Sequence, residues 1–296
     1  MDQRAMKTRL ESYRQTIETF LSQTAQDPAV PPELSRAMSY SLFAGGKRVR
    51  PILCLAWAEV FGAETADILP FACGLELIHT YSLVHDDLPA MDNDDYRRGQ
   101  PSNHIRFGED MAILAGDGLL TEAFSLMLAA GLPADRLLKA VRTVAEAAGP
   151  RGMVGGQVMD MNLTGRGESD LETLKTMHGL KTGAMFRASC QSGALLAGAS
   201  RSESDRAGLF GTRLGLAFQV ADDILDVVGD SQSLGKPTGS DQEQGKLTYP
   251  ALLGIDESRR FGNRLIDESL ACLQEDAGPS ADFLRALSRY IMERTE

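Results

Sequence analysis

The chain predicts an all-α fold in a single domain, residues 1–296. Three observations carry this. Nearly every segment repeats its apolar residues with helical period, and no credible alternating strand interrupts them. At 296 residues and 43% apolar content the chain can bury a large core. No linker or low-complexity tract separates two cores.

The elements follow in order. Residues 4–24 read as an amphipathic helix that stops at Asp27-Pro28. Pro32 suits a first helical turn, and residues 33–43 continue to Gly45-Gly46. Helices over 51–61 and 67–88 come next. Pro89 lacks an amide hydrogen and ends or kinks the second of these. The pattern continues over 110–130, 133–149 and 156–162. Residues 181–199 are rich in Gly, Ala and Ser, which lets helices approach closely, and Lys181-Thr182-Gly183 opens that helix. Residues 202–228 form a strongly apolar helix. Residues 229–249 are polar and Gly-rich, with Lys236-Pro237 inside, and read as a long loop. Loops of that length are often functional, and this one is expected to order over a bound anion. Helices over 250–275 and 280–294 close the chain.

Composition excludes some functions. The net charge of −11 argues against nucleic acid as a partner. Cys54, Cys73, Cys190 and Cys272 are widely spaced in apolar stretches, with no metal-ligand spacing. They read as small buried hydrophobes in a reducing compartment. The N-terminus is charged without an apolar signal core, and no apolar run approaches the roughly 18 residues that span a membrane. A soluble, cytoplasmic protein without stable membrane insertion is expected.

Two aspartate clusters carry the chemistry: Asp86-Asp87-Leu-Pro-Ala-Met-Asp92 and Asp222-Asp223-Ile-Leu-Asp226. Burying carboxylates without partners costs several kcal/mol each, so a core helix does not collect them by accident. Hard oxygen clusters suit Mg²⁺, which takes one or two carboxylates, waters and substrate phosphates. Asp222 and Asp226 are four residues apart and share a helical face, with Gln219 one turn earlier; Asp223 points elsewhere. His79, Ser82 and Asp86 form a comparable stripe on the first helix.

Cations accompany the acids. Gly46-Lys47-Arg48-Val49-Arg50-Pro51 places three cations after a glycine pair at a helix start, where amide donors and guanidinium forks suit a diphosphate. Arg97-Arg98-Gly99 follows the first cluster. Lys181, Lys236 and Lys246 are further candidates. An ordinary explanation exists for each alone: charge balance for the arginines, solvated lysines in the loop, a satisfied core histidine for His79. Their co-occurrence with two acidic clusters favours a magnesium-diphosphate site.

Together these motifs resemble the trans-prenyl diphosphate synthases and, within that family, its bacterial farnesyl-forming branch. The match runs from Ser41-Leu-Phe-Ala-Gly-Gly-Lys-Arg-Val-Arg-Pro51 to Thr248-Tyr-Pro-Ala-Leu-Leu253. The first motif has four residues between Asp87 and Asp92, the longer form found in bacterial farnesyl and plant-type geranylgeranyl enzymes. The resemblance implies an isoprenoid-synthase bundle around a central cavity, working as a homodimer. It implies that Asp86, Asp87 and Asp92, with Asp222 and Asp226 opposite, hold three Mg²⁺ ions on an allylic diphosphate. Arg97, Lys181, Lys236 and Lys246 would contact that diphosphate. Gly46, Lys47, Arg50, His79 and Arg98 would bind isopentenyl diphosphate without metal. Thr182 and Gln219 would lie near the reacting carbons, with Gly155-Gly156-Gln157 and Asp160 beside the cavity. Metal and cations would promote ionisation to an allylic carbocation, which isopentenyl diphosphate attacks.

Other readings fit less well. A terpene cyclase usually carries a second motif of Asn/Asp, Ser/Thr and Glu and lacks the isopentenyl pocket. An all-α metal phosphohydrolase needs more histidines than His79, His85, His104 and His178. A non-catalytic subunit typically loses one aspartate cluster. Calcium binding at Asp92 and Asp94 is interrupted by Arg97 and Arg98.

Product length follows from helical geometry. A tail anchored at Asp86 runs down the same helix. Ser82 lies one turn below and Tyr81 five residues below, slightly aside. A tyrosine ring there resembles the floor of farnesyl synthases, so a C15 product is expected; the alternative is that Tyr81 only packs between helices and the product is C20 or C10.

Overall fold

A computed structural model describes residues 1–25, 27–164, 170–228 and 246–294. Helix α1 (Gln3–Thr24) starts where the Asp2 carboxylate accepts the Ala5 amide, and it buries Met6, Tyr13, Ile17 and Leu21 at helical spacing. Helix α2 (Pro32–Leu42) has proline in its first turn, where the missing N–H costs nothing. Helix α3 (Val49–Val60) is buried continuously from Pro51 to Ala58, and α4 (Thr65–Asp86) leads to the first aspartates. Strands β1 (Tyr96–Arg97) and β2 (Gln100–Pro101) pair antiparallel. Then come α5 (Asn103–Phe107), α6 (Glu109–Leu128), α7 (Ala134–Ala148) and α8 (Met153–Leu163). Helix α9 (Leu171–His178), a π turn (Gly179–Gly183) and α10 (Ala184–Ala197) run on without a break. Helix α11 (Arg201–Val228) carries the second cluster, and α12 (Tyr249–Leu253), α13 (Ile255–Ala271) and α14 (Pro279–Glu293) end the chain.

One apolar cluster extends from Met6 to Met292. Helix α10 packs on α3, α7 and α11, while α4 packs on α6 and α3. Trp57 is fully buried, edge-on to Phe210 at 5.3 Å between ring centroids. Side chains of this size each contribute about 2–3 kcal/mol by leaving water. The packing sets the C-terminal end of α4 and the middle of α11 beside the π turn.

The all-α expectation holds, with local departures. Arg97-Arg98-Gly99 is the tip of a tight hairpin, with Arg98 at φ 54. The short α5 and the whole of α9 carry too few apolar repeats to stand out. Lys181-Thr182-Gly183 therefore does not open a helix; it sits in a π turn inside one that begins at Leu171. Residues 250–275 are not one helix, because Gly254 adopts φ 76 and divides α12 from α13. Only a residue without Cβ adopts that conformation cheaply.

Helix α6 is a feature that a search for apolar runs does not show. It is long and apolar enough to cross a membrane by length and composition, with mean hydropathy 1.5 over its best window. A search for an uninterrupted apolar run misses it, because Asp117 and Glu122 lie inside. Here α6 packs on α4 and α2 through residues such as Ala112, Leu119 and Met127. Its Ile113, Leu114 and Leu128 stay exposed.

Candidate active site

Helix α4 ends at Asp86, and the chain turns through Pro89 so that the Asp92 amide donates to the Asp86 carbonyl at 2.9 Å. This turn brings Asp92 back beside Asp86. The Asp86 side chain is 17% exposed. It accepts a hydrogen bond from Gln157 Nε2 and lies 3.9 Å from Lys181 Nζ. Burial pushes its pKa up to about 6; Lys181 opposes that shift and the charge on Asp92 adds to it. Lys246 Nζ lies 3.1 Å from Asp92 Oδ2.

Asp87 is buried and directed at Arg97, whose Nε donates at 2.9 Å and whose Nη2 also reaches it. Arg97 Nη2 further meets Asp94 at 3.3 Å. Burial raises the Asp87 pKa, with Arg97 opposing. Asp87 thus holds an arginine that lines the cleft, rather than facing the cleft itself.

Helix α8 builds the lysine's surroundings. Gly156 lies against the backbone of Lys181, where any Cβ would overlap the Lys181 nitrogen. One turn on, Asp160 Oδ2 accepts from Lys181 Nζ at 2.6 Å. The stretch Gly155-Gly156-Gln157 with Asp160 is therefore a rack that fixes both Lys181 and Asp86. A π turn widens the helix locally, a distortion frequent at functional sites.

On α11, Asp222 is partly exposed and its Oδ1 lies 3.6 Å from Arg294 Nη2, while Asp226 is nearly buried. Asp223 accepts Gln219 Nε2 at 2.9 Å and the Tyr249 amide at 3.0 Å. Gln219 Oε1 accepts the Thr182 hydroxyl at 3.2 Å.

The basic turn separates its three cations. Arg48 begins α3 at φ 50 and is buried, donating at 2.8 Å to both Glu76 and the Leu42 carbonyl. It is a core ion pair and takes no part in the cleft. Arg50 stacks over Phe186 at 5.3 Å, and its buried Nε finds no hydrogen-bond partner among the described residues. Burial lowers its pKa to about 10. His79 is held neutral by burial and then by the guanidinium groups of Arg50, Arg98, Arg48 and Arg97. Arg98 donates to the Gly45 carbonyl and sits against Gly46. Lys47 and Arg294 flank the Phe218 ring at 5.6 and 5.2 Å. Desolvation and Arg294 hold the Lys47 pKa below the usual lysine value. A pocket with this much positive charge and an unmet N–H accepts an anion.

Between these groups lies a cleft of about 340 Å³, lined by Lys47, Arg97, Lys181, Gln219, Asp222 and Lys246 among others. His178 also lines it, with its Nδ1 buried and unmet among the described residues and its pKa pushed down to about 4 by burial. His178 and Arg294 carry no sequence signal for this position. Lys236 and residues 229–245 of the expected loop lie outside the described residues.

Tyr81 is buried, its ring edge-on to His85 at 5.8 Å. His85 Nε2 donates to the Ile113 carbonyl of α6 at 3.0 Å. Ser82 Oγ donates to the His79 carbonyl at 2.8 Å.

The donor set suits a hard divalent cation. Among the described residues no three carboxylate or imidazole groups converge on one point. An ion here would take one or two carboxylate ligands and complete its shell with water and substrate phosphate, as Mg²⁺ does. Burial is what chiefly raises the pKa of Asp86, and a bound cation would favour its charged form.

The polyprenyl synthetase family model matches residues 31–280. The chain belongs to the polyprenyl synthetase family. It is 49% identical over 259 residues to a farnesyl diphosphate synthase of Geobacillus stearothermophilus, covering 86% of each chain. It is 48% identical over 235 residues to a geranylgeranyl diphosphate synthase of Cyanophora paradoxa, covering 79% of this chain and 78% of the relative. Among solved structures it matches an apo FPP/GFPP synthase of Zymomonas mobilis with a TM-score of 0.86 at 35% identity, over 97% of this chain and 99% of the other. The chain is thus a prenyltransferase of isoprene biosynthesis. The family uses isopentenyl and allylic diphosphates and is generally Mg²⁺-dependent.

Proposed function

We propose that this prenyltransferase condenses isopentenyl diphosphate with dimethylallyl and then geranyl diphosphate, stopping at (2E,6E)-farnesyl diphosphate. The observation that carries the length is Tyr81, five residues below Asp86 and braced by His85 against α6. A braced ring limits a growing tail better than a mobile one.

In this reading Asp86, Asp92, Asp222 and Asp226 would hold three Mg²⁺ ions. When bound, Mg²⁺ would neutralise charge on the departing diphosphate. Arg97, Lys181 and Lys246 bind the same diphosphate, and Lys246 exchanges Asp92 for a phosphate oxygen. Gly46, Lys47, Arg50, His79 and Arg98 bind isopentenyl diphosphate, with Arg294 closing the same pocket. The allylic C–O bond breaks and its electron pair leaves with diphosphate. The isopentenyl double bond then supplies the pair for the new C–C bond, and a proton passes to the released diphosphate. Thr182 and Gln219 place polar oxygens near the positive carbon.

The exposed apolar face of α6 supports a homodimer that covers it. Four buried, unpaired cysteines support a reducing, cytoplasmic setting. The test is incubation with isopentenyl diphosphate, Mg²⁺ and each allylic starter, followed by chromatography of the dephosphorylated products. A mainly C15 product supports the proposal; mainly C20 or C10 overturns it.

A further inference from the structure

Asp223 is the member of the second cluster that does not share the face of Asp222 and Asp226, and it is 2% exposed. Each of its oxygens accepts an N–H: Oδ1 from Gln219 Nε2 at 2.9 Å, Oδ2 from the Tyr249 amide at 3.0 Å. The far end of the Gln219 amide, Oε1, accepts the Thr182 hydroxyl at 3.2 Å. These three contacts form a chain from α12, through α11, to the π turn that carries Lys181.

The chain has a direction. A carboxylate only accepts, an amide has one donating and one accepting end, and a hydroxyl donates a single hydrogen. With Asp223 as acceptor, Gln219 turns its NH₂ group to Asp223 and its carbonyl oxygen to Thr182. The Thr182 hydrogen is then engaged by Gln219, and the lone pairs of Oγ1 are left for whatever lies on its other side. If the amide were reversed, Gln219 would donate to Thr182 and the hydroxyl hydrogen would be released toward the substrate. The two arrangements have nearly the same shape and opposite dipoles.

We propose that Asp223 is a positioning residue that sets the polarity of the Gln219–Thr182 pair, so that Thr182 presents lone pairs to the positive charge on the allylic carbon. This rests on the reading of the cleft as the place of allylic ionisation. A dipole fixed before the charge develops needs no reorganisation during the reaction, and in a site closed to water it acts at low dielectric. The role differs from the metal binding expected of Asp222 and Asp226.

A double-mutant cycle tests this, with Asp223→Asn, Thr182→Val and the combined variant assayed on geranyl and isopentenyl diphosphates. Asn can present NH₂ to Gln219 and so removes the constraint on the amide. Asp223→Asn is expected to lower kcat about 10- to 100-fold, with the KM for isopentenyl diphosphate unchanged. In the Thr182→Val background the same change is expected to cost no more than about twofold, because no hydroxyl remains to be oriented. Asp223→Glu, which restores an acceptor-only group, should recover part of the rate. Losses that multiply independently in the double variant overturn the proposal. A Mg²⁺ requirement raised about tenfold or more in Asp223→Asn also overturns it, since that places Asp223 in the support of a metal site rather than of the Gln219–Thr182 pair. If Asp223→Asn does not fold, Asp223→Ser, whose hydroxyl can either donate or accept, removes the same constraint and takes its place in the cycle. A Thr182→Val variant with normal kcat would overturn the cleft reading and this inference together, whereas a slow Thr182→Val with independent losses overturns this inference alone.

Discussion

Lys246 Nζ meets Asp92 Oδ2 at 3.1 Å across a separation of 154 residues. Three residues later the Tyr249 amide meets Asp223. The segment 246–249 therefore ties the first aspartate motif to the second. In this arrangement the ammonium compensates a carboxylate; in the proposed function it meets a phosphate oxygen once substrate is bound.

Lys246→Met is accordingly expected to raise the KM for the allylic diphosphate about 10-fold or more, the size typical of a lost charge-assisted contact. The KM for isopentenyl diphosphate should stay within about twofold. Steady-state kinetics with each substrate varied in turn checks this. An equal rise in both constants would mean that Lys246 serves the whole fold.

Asp86 links stability to activity. Its folded pKa, raised to about 6 by burial, exceeds its ordinary value of 3.8. The folded state therefore binds more protons than the unfolded one between those values, and stability falls as pH rises through that window. Without metal, ionised Asp86 costs the fold up to about 3 kcal/mol at neutral pH, from roughly two units at 1.36 kcal/mol each. Asp86→Asn should thus be more stable than the parent at pH 7.5 in EDTA, with the gain shrinking toward pH 4. The same variant, and Asp222→Ala, should lose turnover by orders of magnitude. Denaturant unfolding at both pH values measures the first effect, and a stability gain independent of pH would contradict it.

Two neighbouring arginines should fail differently. Arg48→Met leaves Glu76 buried without its partner and is expected to cost about 3–5 kcal/mol of stability. Arg50→Ala, at the edge of the anion pocket, should spare the fold and raise the KM for isopentenyl diphosphate. Thermal unfolding beside kinetics separates them; a folded, slow Arg48→Met would reverse the assignment.

Much of this was legible in the sequence. Helical period marked α1, α2, α6, α7 and α11, while α3 and α4 stood out as apolar runs because they are buried nearly all round. The two acidic clusters were visible because apolar flanks such as Ile224 and Leu225 make a solvated acidic face implausible. The remainder depended on backbone states that composition does not report. Lys181-Thr182-Gly183 resembles a helix start but lies in a π turn. Nothing local distinguishes Arg48 from Arg50 until the positive φ of Arg48 turns it into the core. Asp87 looks like the equal of Asp86, yet its partner Arg97 gives it a supporting position; helical spacing set Asp223 apart, but not its partner Tyr249. Such pairings arise from tertiary packing across distant helices.

Product length is the central claim, and the products of the parent and of Tyr81→Ala, measured side by side by chromatography after dephosphorylation, test it most directly. The account predicts C15 for the parent, a shift toward C20 for Tyr81→Ala, and a shift toward C10 for Ser82→Phe. A parent that makes mainly C20, or a Tyr81→Ala variant that still stops at C15, would contradict it.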